Sequence, residues 1–235
     1  HVPRDNGLII KGGRELIADR GLFITKKRYA VNIFDLEGKR LDIEGKQGKI
    51  KAMGLDLKRS DTPKVIQDFL MTLLVEVLAG AGRDKIIEMV KAFKFDFKER
   101  PAWEKGSPKR VNNLTMYSKK EEREGRANMP GHVRAGMNWN TMKKMNSDNY
   151  SQQIIDGMKT IVCKLKPNPL NWTSIGYPTD EMHLPQWFKE LPFDDALMEA
   201  TVVDQKIDNL LHVLEWDLAS ETNTTNTFNT LFEFD

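Results

Sequence analysis

The sequence predicts an α+β fold in which a β-hairpin is followed by a mostly helical region with a small β element. Two observations carry this prediction. Residues 28–36 alternate around Tyr29, Val31 and Ile33, which is the period of a half-buried strand. From residue 62 onwards, apolar residues instead recur every three to four positions, which is the period of an amphipathic helix.

The hairpin is predicted from residues 28–36 together with a second β-like run at residues 49–55. Glu37-Gly38 supplies a turn after the first run, and a loop rich in Gly and Lys precedes the second. Three consecutive cations, at residues 26–28, stand at the start of the first strand. Because like charges repel, a strand that begins this way needs an anion or open water beside it.

Four helices are predicted behind the hairpin. Thr62 is expected to cap the first, Pro63 to begin it and Gly80 to end it. The second covers residues 84–97, with lysines on its outer side. A short helix is expected at 150–158 and a long one at 194–216, with the following side chains facing inward: Leu197, Val202, Ile207, Leu210, Leu211 and Leu214.

Between and after these helices the sequence predicts one strand and two irregular regions. The strand covers residues 160–165. Residues 100–148 are rich in Pro, Gly, Ser and Asn and poor in apolar residues, so a long loop is expected there, and loops of that length are usually functional or disordered. Residues 166–178 are expected to form turns.

Charge is distributed unevenly along the 235 residues, although the net charge is only +2. Residues 1–64 carry 15 basic and 9 acidic side chains, and residues 83–144 carry 16 and 8. Residues 178–235 carry 2 basic and 13 acidic side chains. A basic body indicates a polyanionic partner, from which the acidic end would stay away. A basic face that only keeps the protein soluble is the alternative.

No catalytic residue and no metal site are predicted in this chain. The four histidines are scattered, and none stands at a metal-ligand spacing to another or to the single cysteine, Cys163. Cys163 lies in the apolar run TIVCKL and is expected to be a buried thiol in a reducing compartment. No apolar run approaches the length of a membrane span, so an intracellular chain is expected.

Short motifs follow one another through the chain in a fixed order. They are Lys26–Ala30 (KKRYA), Asp35–Arg40 (DLEGKR), Lys51–Leu55 (KAMGL), Ser60–Lys64 (SDTPK), Gly131–Arg134 (GHVR), Asp156–Lys159 (DGMK), Ile175–Pro178 (IGYP) and Leu184-Pro185. In this order they closely resemble the C-terminal part of family B DNA polymerases, above all the replicative type of T4-like bacteriophages. The resemblance covers essentially the whole chain.

The resemblance implies that residues 1–58 are the C-terminal edge of the polymerase palm, residues 59–218 the thumb, and residues 219–235 a flexible tail. In that family, aspartates of two palm motifs, DxxSLYP and DTD, hold two divalent metal ions (Mg) against the incoming nucleotide. Neither motif occurs in this sequence. The chain is therefore expected to be part of a DNA-directed DNA polymerase, a nucleotidyltransferase, and to bind no cofactor and be inactive alone.

The resemblance also implies which residues contact DNA. By the alternation of the strand, Lys27 and Tyr29 are expected on the minor-groove side of the duplex near the primer end, and Lys26 and Arg28 nearer the backbone. Minor-groove acceptors occur on every base pair, so donors there test pairing geometry without reading sequence. Further contacts are expected at the palm edge, the start of the first helix and a thumb-tip element at 107–113: Lys51, Lys58, Arg59, Lys64, Lys109, Arg110 and Asn112. A solvated loop is the alternative for the last group.

The C-terminal residues predict a second partner. The Thr/Asn tract at 219–229 is too polar to pack and is expected to be a tether. Leu231, Phe232 and Phe234 follow it, and phage polymerases of the resembled type end in a Leu/Phe-rich peptide that inserts into the sliding clamp. These three residues are therefore expected to bind the clamp. Folding back of the tail onto the thumb is the alternative.

The expected function is to grip the primer-template duplex during phage DNA replication, in the cytoplasm of the infected bacterial host. The expected partners are duplex DNA, an upstream polypeptide with exonuclease, palm and fingers, and the sliding clamp, with no membrane. The alternative is a stand-alone, non-enzymatic DNA-binding replication accessory protein that has kept the basic strand and the thumb.

Overall fold

The computed structural model describes Gly13 and residues 15–43, 48–125 and 128–216. They form two compact units: one comprises the described residues up to Leu55 together with Leu74–Ala81, and the other comprises Asp56–Leu73 and the residues from Gly82 onwards. The α+β fold class is confirmed. The assignment of palm and thumb stays a prediction, and the predicted tail, with its clamp-binding peptide, lies outside the described residues.

The first unit is built on a four-stranded antiparallel sheet. Its strands are β1 (Leu16–Thr25), β2 (Arg28–Leu36), β3 (Lys39–Arg40) and β4 (Lys49–Met53). β2 is central, with β1 on one edge and β3 and β4 on the other. The predicted pairing of β2 with the second β-like run is thus confirmed, and Tyr29 lies opposite Met53.

Strand β1 was not expected from the sequence. Its pairing with β2 shifts between Ile17 and Ala18, between Ala18 and Arg20, and between Phe23 and Thr25. Each irregularity breaks the alternation of side chains, so the run LIADRGLFIT lacks the two-residue period by which β2 can be recognised. The end of α1 completes this unit, and there Arg20 Nη1 donates a hydrogen bond to the carbonyl oxygen of Leu78 over 3.3 Å.

The first two predicted helices are confirmed as α1 (Lys64–Ala79) and α2 (Arg83–Glu99). The predicted cap is wrong, because the buried hydroxyl of Thr62 has no hydrogen-bond partner among the described residues. The carbonyl oxygen of Pro63 accepts instead from the N–H groups of Ile66 and Gln67, both over 3.0 Å. In the second unit the rings of Phe69 on α1 and Phe93 on α2 stack with centroids 3.8 Å apart.

The expectation that all lysines of α2 face outward is also wrong. The side chain of Lys94 is only 3% exposed, and its Nζ lies 2.9 Å from Asp204 Oδ1 and 3.2 Å from Glu199 Oε1. Lys105, which follows the helix, is likewise buried, and its Nζ donates to Asp195 Oδ1 over 2.8 Å. Buried ammonium groups need such partners because desolvation of an unpaired charge is costly.

The long loop predicted at residues 100–148 is contradicted by the structure. A 3₁₀ turn (Ala102–Lys105), strand β5 (Ser107–Arg110) and helices α3 (Leu114–Glu124) and α4 (Gly131–Met145) occupy most of it. Helix α4 contains Gly136, Asn138 and Asn140, which are weak helix formers. Tertiary packing overrides this propensity, because Val133 and Trp139 of α4 are buried in the core.

A three-stranded antiparallel sheet carries this core, in the order β5, β6 (Lys159–Lys164), β7 (Ser174–Pro178). The predicted strand at 160–165 is confirmed as β6, whereas β7 lies in the stretch that was expected to form turns. Helix α4 packs against β7 at small residues. The nearest atoms to a Cβ built at Gly176 would belong to Ala135 and Gly136, 3.5–3.6 Å away.

The short helix predicted at residues 150–158 does not form. This segment is irregular, and side chains of α4 bind its backbone. Trp139 Nε1 donates to the carbonyl oxygen of Gln152 over 2.9 Å. Asn140 donates to the carbonyl oxygen of Ile154 over 2.8 Å and accepts from its N–H over 2.9 Å. Buried backbone groups must be paired, and here α4 provides the partners that a helix would have provided within the segment.

The C-terminal helix predicted at 194–216 is helical from Asp195 to Leu214, in four pieces. Helix α5 (Gln186–Lys189) precedes this region. The four pieces are α6 (Asp195–Glu199), a π-helical turn (Ala200–Asp204), α7 (Gln205–Leu211) and a 3₁₀ turn (His212–Leu214). Val202, Ile207, Leu210 and Leu211 are buried as predicted.

Leu197 was predicted to face inward, and this is wrong: it is exposed, and Met198 is buried in its place. Leu214 is only half-buried. The π-helical turn explains the change at Leu197. It contains about one residue more than an α-helical turn and therefore rotates the preceding residues by roughly 100° relative to those that follow.

Phe188 on α5 lies at the centre of the core of the second unit. It is fully buried, and its ring centroid lies 5.3 Å from those of Trp139, Tyr177 and Phe193 and 6.0 Å from that of Trp187. Cys163 is buried and unpaired, as predicted, and burial raises the pKa of its thiol above the ordinary value. None of the described helices is both long and apolar enough to cross a membrane.

Replacing Asn140 by Ala should lower the free energy of unfolding by about 2–3 kcal/mol. The change leaves the N–H and the carbonyl oxygen of the buried Ile154 without their partner, and a buried unsatisfied group costs roughly 1–3 kcal/mol. Urea unfolding followed by tryptophan fluorescence measures the loss. Asn146→Ala is the matched control, because its side chain donates to Met142 at an exposed site, where losses of about 0.5 kcal/mol are expected. Equal losses would contradict the role of Asn140.

Candidate nucleic-acid interface

The first candidate surface lies on the hairpin turn between β1 and β2. Lys26 and Lys27 form this two-residue turn, both are exposed, and Thr25 lies opposite Arg28 where the strands begin to pair. Within the described part of the chain neither lysine has an ion pair or a hydrogen bond. Because Lys27 lies in the turn and not in the strand, the alternation used to place it on the groove side applies only from Arg28 onwards.

An aromatic surface adjoins this turn, and the sequence did not predict it. The rings of Phe23 and Tyr29 stack across β1 and β2 with centroids 5.9 Å apart and planes 20° apart. Phe23 is 65% exposed, and Met53, opposite Tyr29 on β4, is 48% exposed. A cationic turn beside a flat apolar face can donate to acceptors of a nucleic acid while the rings contact sugars or base edges.

Two glycines give this surface its shape. A Cβ on Gly21 would come within 2.6 Å of the Phe23 ring, so a side chain at this position would displace the ring. Gly54, which follows β4, has a φ of +65°, and a Cβ there would collide with the carbonyl oxygen of Lys27. Glycine adopts this left-handed conformation without a steric penalty. The chain after β4 can therefore pass directly beside the lysine turn.

The second candidate surface centres on Asp61. Its carboxylate accepts hydrogen bonds from Arg59 Nε over 3.0 Å and from Arg59 Nη2 over 3.1 Å. Lys109 Nζ on β5 donates to the same carboxylate over 2.9 Å. Arg59 and Lys109 were predicted as separate DNA contacts, and the structure brings them together around one acid.

A second carboxylate, Asp56, lies next to this group but is more deeply buried. Its oxygens accept from Lys206 Nζ over 2.9 Å and from Asn209 Nδ2 over 3.1 Å. Arg59 Nε is 3.7 Å away. Asp56 thus joins the residues before α1 to helix α7, and its role is structural.

The remaining predicted DNA contacts differ in whether their side chains already have partners within the described protein. Lys58 and Asn112 are exposed, and the described residues include no partner for either. The side chains of Lys51, Lys64 and Arg110 have partners: Glu15 Oε1 at 3.5 Å, Asp68 Oδ1 at 2.6 Å and the carbonyl oxygen of Gly157 at 2.9 Å. The predicted assignment of all these residues to DNA binding stays a prediction.

Two pKa values report the electrostatics around Lys109. Partial burial raises the pKa of Asp61, but the hydrogen bonds and positive charges of Arg59 and Lys109 outweigh it and hold the pKa well below the ordinary value. Burial lowers the pKa of His132, and the charge of Lys109 lowers it further. Stability from neutral His132 is therefore fully present above its ordinary pKa of about 6.5 and is lost as the pH falls through its lowered folded pKa.

Metal binding finds no support in the described ranges, where no three His, Cys, Asp or Glu side chains converge as ligands would. The candidate surfaces instead provide hydrogen-bond donors, namely free lysines, a guanidinium and amides, which are suited to phosphate and sugar oxygens.

Comparison with known proteins confirms the resemblance found in the motifs. The DNA-directed DNA polymerase of Enterobacteria phage T4 is 28% identical over 160 residues, which is 68% of this chain and 17% of that protein. The DNA-directed DNA polymerase of Escherichia phage RB69 is 30% identical over 194 residues, 79% of this chain and 19% of that protein. The chain thus matches about a fifth of the length of these relatives. No protein-family model matches it.

Replacing Lys109 by Gln should raise the pKa of His132 while leaving it below the ordinary value, because burial remains after the charge is removed. An NMR titration of the imidazole resonances measures this. Lys91→Gln on α2 removes an equal charge from an exposed site and is expected to leave the pKa of His132 unchanged. A pKa of His132 that does not respond to Lys109→Gln would contradict the electrostatic contact.

Proposed function

Since the chain is related by sequence to the DNA polymerases of T4-like phages, we propose that it acts as a polymerase segment that grips the primer-template duplex. The observation that carries the proposal is the similarity to the two phage enzymes over 68% and 79% of this chain. The geometry of the basic residues supports the same function, separately in each unit.

In the first unit, the Lys26-Lys27 turn and the Phe23–Tyr29 stack support contact with a duplex independent of its sequence. Both lysines are exposed and have no described partner, so they can bind DNA without first breaking an ion pair. Acceptors in the minor groove are present on every base pair. A lysine donor on this turn would therefore report correct pairing, while the aromatic face rests on the neighbouring sugars.

In the second unit, Lys58 and Arg59 precede α1 and Lys109 lies on β5. These side chains provide ammonium and guanidinium donors, which bind phosphate oxygens and carry no sequence information. Such contacts suit a grip on the duplex, which must hold any sequence that leaves an active site.

The chemistry of nucleotide addition belongs, in this proposal, to an upstream polypeptide with the metal-binding aspartates. The described residues contain no converging set of metal ligands. We accordingly assign binding and positioning of DNA to this chain and place its action in the cytoplasm of the infected host.

The proposal predicts that the full chain binds duplex DNA of any sequence and that binding weakens steeply with salt. About six phosphate contacts give a slope of roughly −5 for log affinity against log salt. Lys26→Gln combined with Lys27→Gln should lower affinity and flatten the slope by about one unit, because Lys26 is expected at the backbone and Lys27 at the groove. Fluorescence anisotropy with a labelled duplex at several salt concentrations measures both quantities.

Lys119→Gln combined with Lys120→Gln is the matched control for this experiment. These lysines are also adjacent and exposed, on α3, and the double variant changes the net charge equally. Equal effects of the two double variants would show that net charge alone determines binding. Absence of duplex binding at low salt would overturn the proposed function itself.

We further propose that Leu231, Phe232 and Phe234 bind a sliding clamp. Three large apolar side chains at the end of a polar tract gain from burial in a pocket. Deletion of residues 230–235 should abolish retention on an immobilised phage clamp and leave duplex affinity unchanged. Retention of the truncated chain would contradict the assignment, and so would loss of its folded circular-dichroism spectrum.

A further inference from the structure

Asp61 holds Arg59 and Lys109 in the arrangement in which two cations bind one phosphate. Both guanidinium donors of Arg59 reach the carboxylate, over 3.0 and 3.1 Å, and the ammonium of Lys109 binds it from β5 over 2.9 Å. Carboxylate and phosphate are interchangeable partners for this geometry, because guanidinium binds either in a bidentate manner.

The group is accessible from solvent, unlike the neighbouring group at Asp56. The side chain of Asp61 is 26% exposed, and that of Arg59 is 58% exposed. Asp56 is 7% exposed and holds Lys206. Exchange of the Asp61 carboxylate for another anion leaves Arg59 and Lys109 paired, so the exchange loses little interaction energy. Breaking the buried pairs of Asp56 would be costly.

We propose that Arg59 and Lys109 form a subsite for one phosphodiester of duplex DNA and that the Asp61 carboxylate occupies this subsite until the duplex displaces it. The proposal rests on the duplex-gripping function proposed above and adds to it a residue that sets affinity. On binding, the backbone phosphate takes the donors of Arg59 and Lys109, and Asp61 turns to solvent. Asp61 therefore competes with DNA for its own neighbours and weakens the grip.

A second Arg-x-Asp pair in the chain provides a matched control. Arg40 Nε and Nη2 donate to the two oxygens of Asp42 over 2.8 and 2.6 Å. The exposed fractions of these side chains, 58% and 29%, are close to those of Arg59 and Asp61. No lysine ion pair with Asp42 occurs among the described residues, and Arg40 is not among the expected DNA contacts. Asp42→Asn thus removes the same charge from the same local geometry without opening the proposed subsite.

The experiment measures the affinity of the full chain for a short labelled duplex as wild type, Asp61→Asn and Asp42→Asn. Asp61→Asn should bind about fivefold more tightly than Asp42→Asn at low salt, the factor that corresponds to one unit-charge contact in water. The salt slope should also become steeper by about one unit, because the displaced carboxylate of the wild type recruits a cation from solution. In a background of Arg59→Gln and Lys109→Gln, Asp61→Asn should bind no more tightly than Asp42→Asn.

A measurement on the wild type avoids dependence on the folding of any variant. Adding duplex should raise the pKa of Asp61, followed by NMR of its carboxyl carbon, because both cations leave the carboxylate. The pKa of Asp42 should stay constant in the same titration.

The outcomes separate this proposal from the function on which it rests. If the wild type binds duplex but Asp61→Asn and Asp42→Asn behave alike, the subsite is wrong and the function stands. If the pKa of Asp61 stays constant or falls on duplex addition, the subsite is likewise wrong and the function stands. If none of the three proteins binds duplex at low salt, the function and the subsite both fail.

Discussion

The hydrogen bonds from α4 to the irregular segment at residues 152–154 determine much of the second unit. Trp139 and Asn140 bind the backbone of this segment. The residues that follow it then fix β5 and α3: the N–H of Val111 donates to the carbonyl oxygen of Met158, and the N–H of Leu114 donates to Asp156 Oδ1. Strand β5 carries Lys109 and Arg110. The position of two candidate DNA contacts thus depends on polar side chains of a neighbouring helix.

The sequence predicted those elements whose side chains follow a regular period. Strand β2 and helices α1 and α2 have such periods and were found within a few residues. Helix α4 and the segment after it were missed, because the glycine and asparagines of α4 favour turns locally and serve here to pack closely and to bind backbone. Their roles exist only in the folded chain, so local propensity gave the opposite prediction for both.

The candidate site was predictable in its cations but not in their partners. The KKRY segment and the basic residues near α1 follow from charge and from the resemblance. That Arg59 and Lys109 share Asp61 depends on a contact between residues 48 positions apart. The acidic end of the chain also has an internal use, because Asp195, Glu199 and Asp204 neutralise the buried Lys94 and Lys105. Part of the charge asymmetry read from the sequence is therefore cancelled inside the fold.

The π-helical turn at Ala200–Asp204 has a consequence for how this chain can vary in length. A π-helical turn absorbs one additional residue within a helix. Loss of one residue there would shorten the turn to an ordinary α-helical one with nearly the same total rotation, so the apolar faces of α6 and α7 would keep their relative orientation. Single-residue gaps in alignments with longer polymerases are therefore most easily accommodated at this position, where the helix continues and both faces still point to the core.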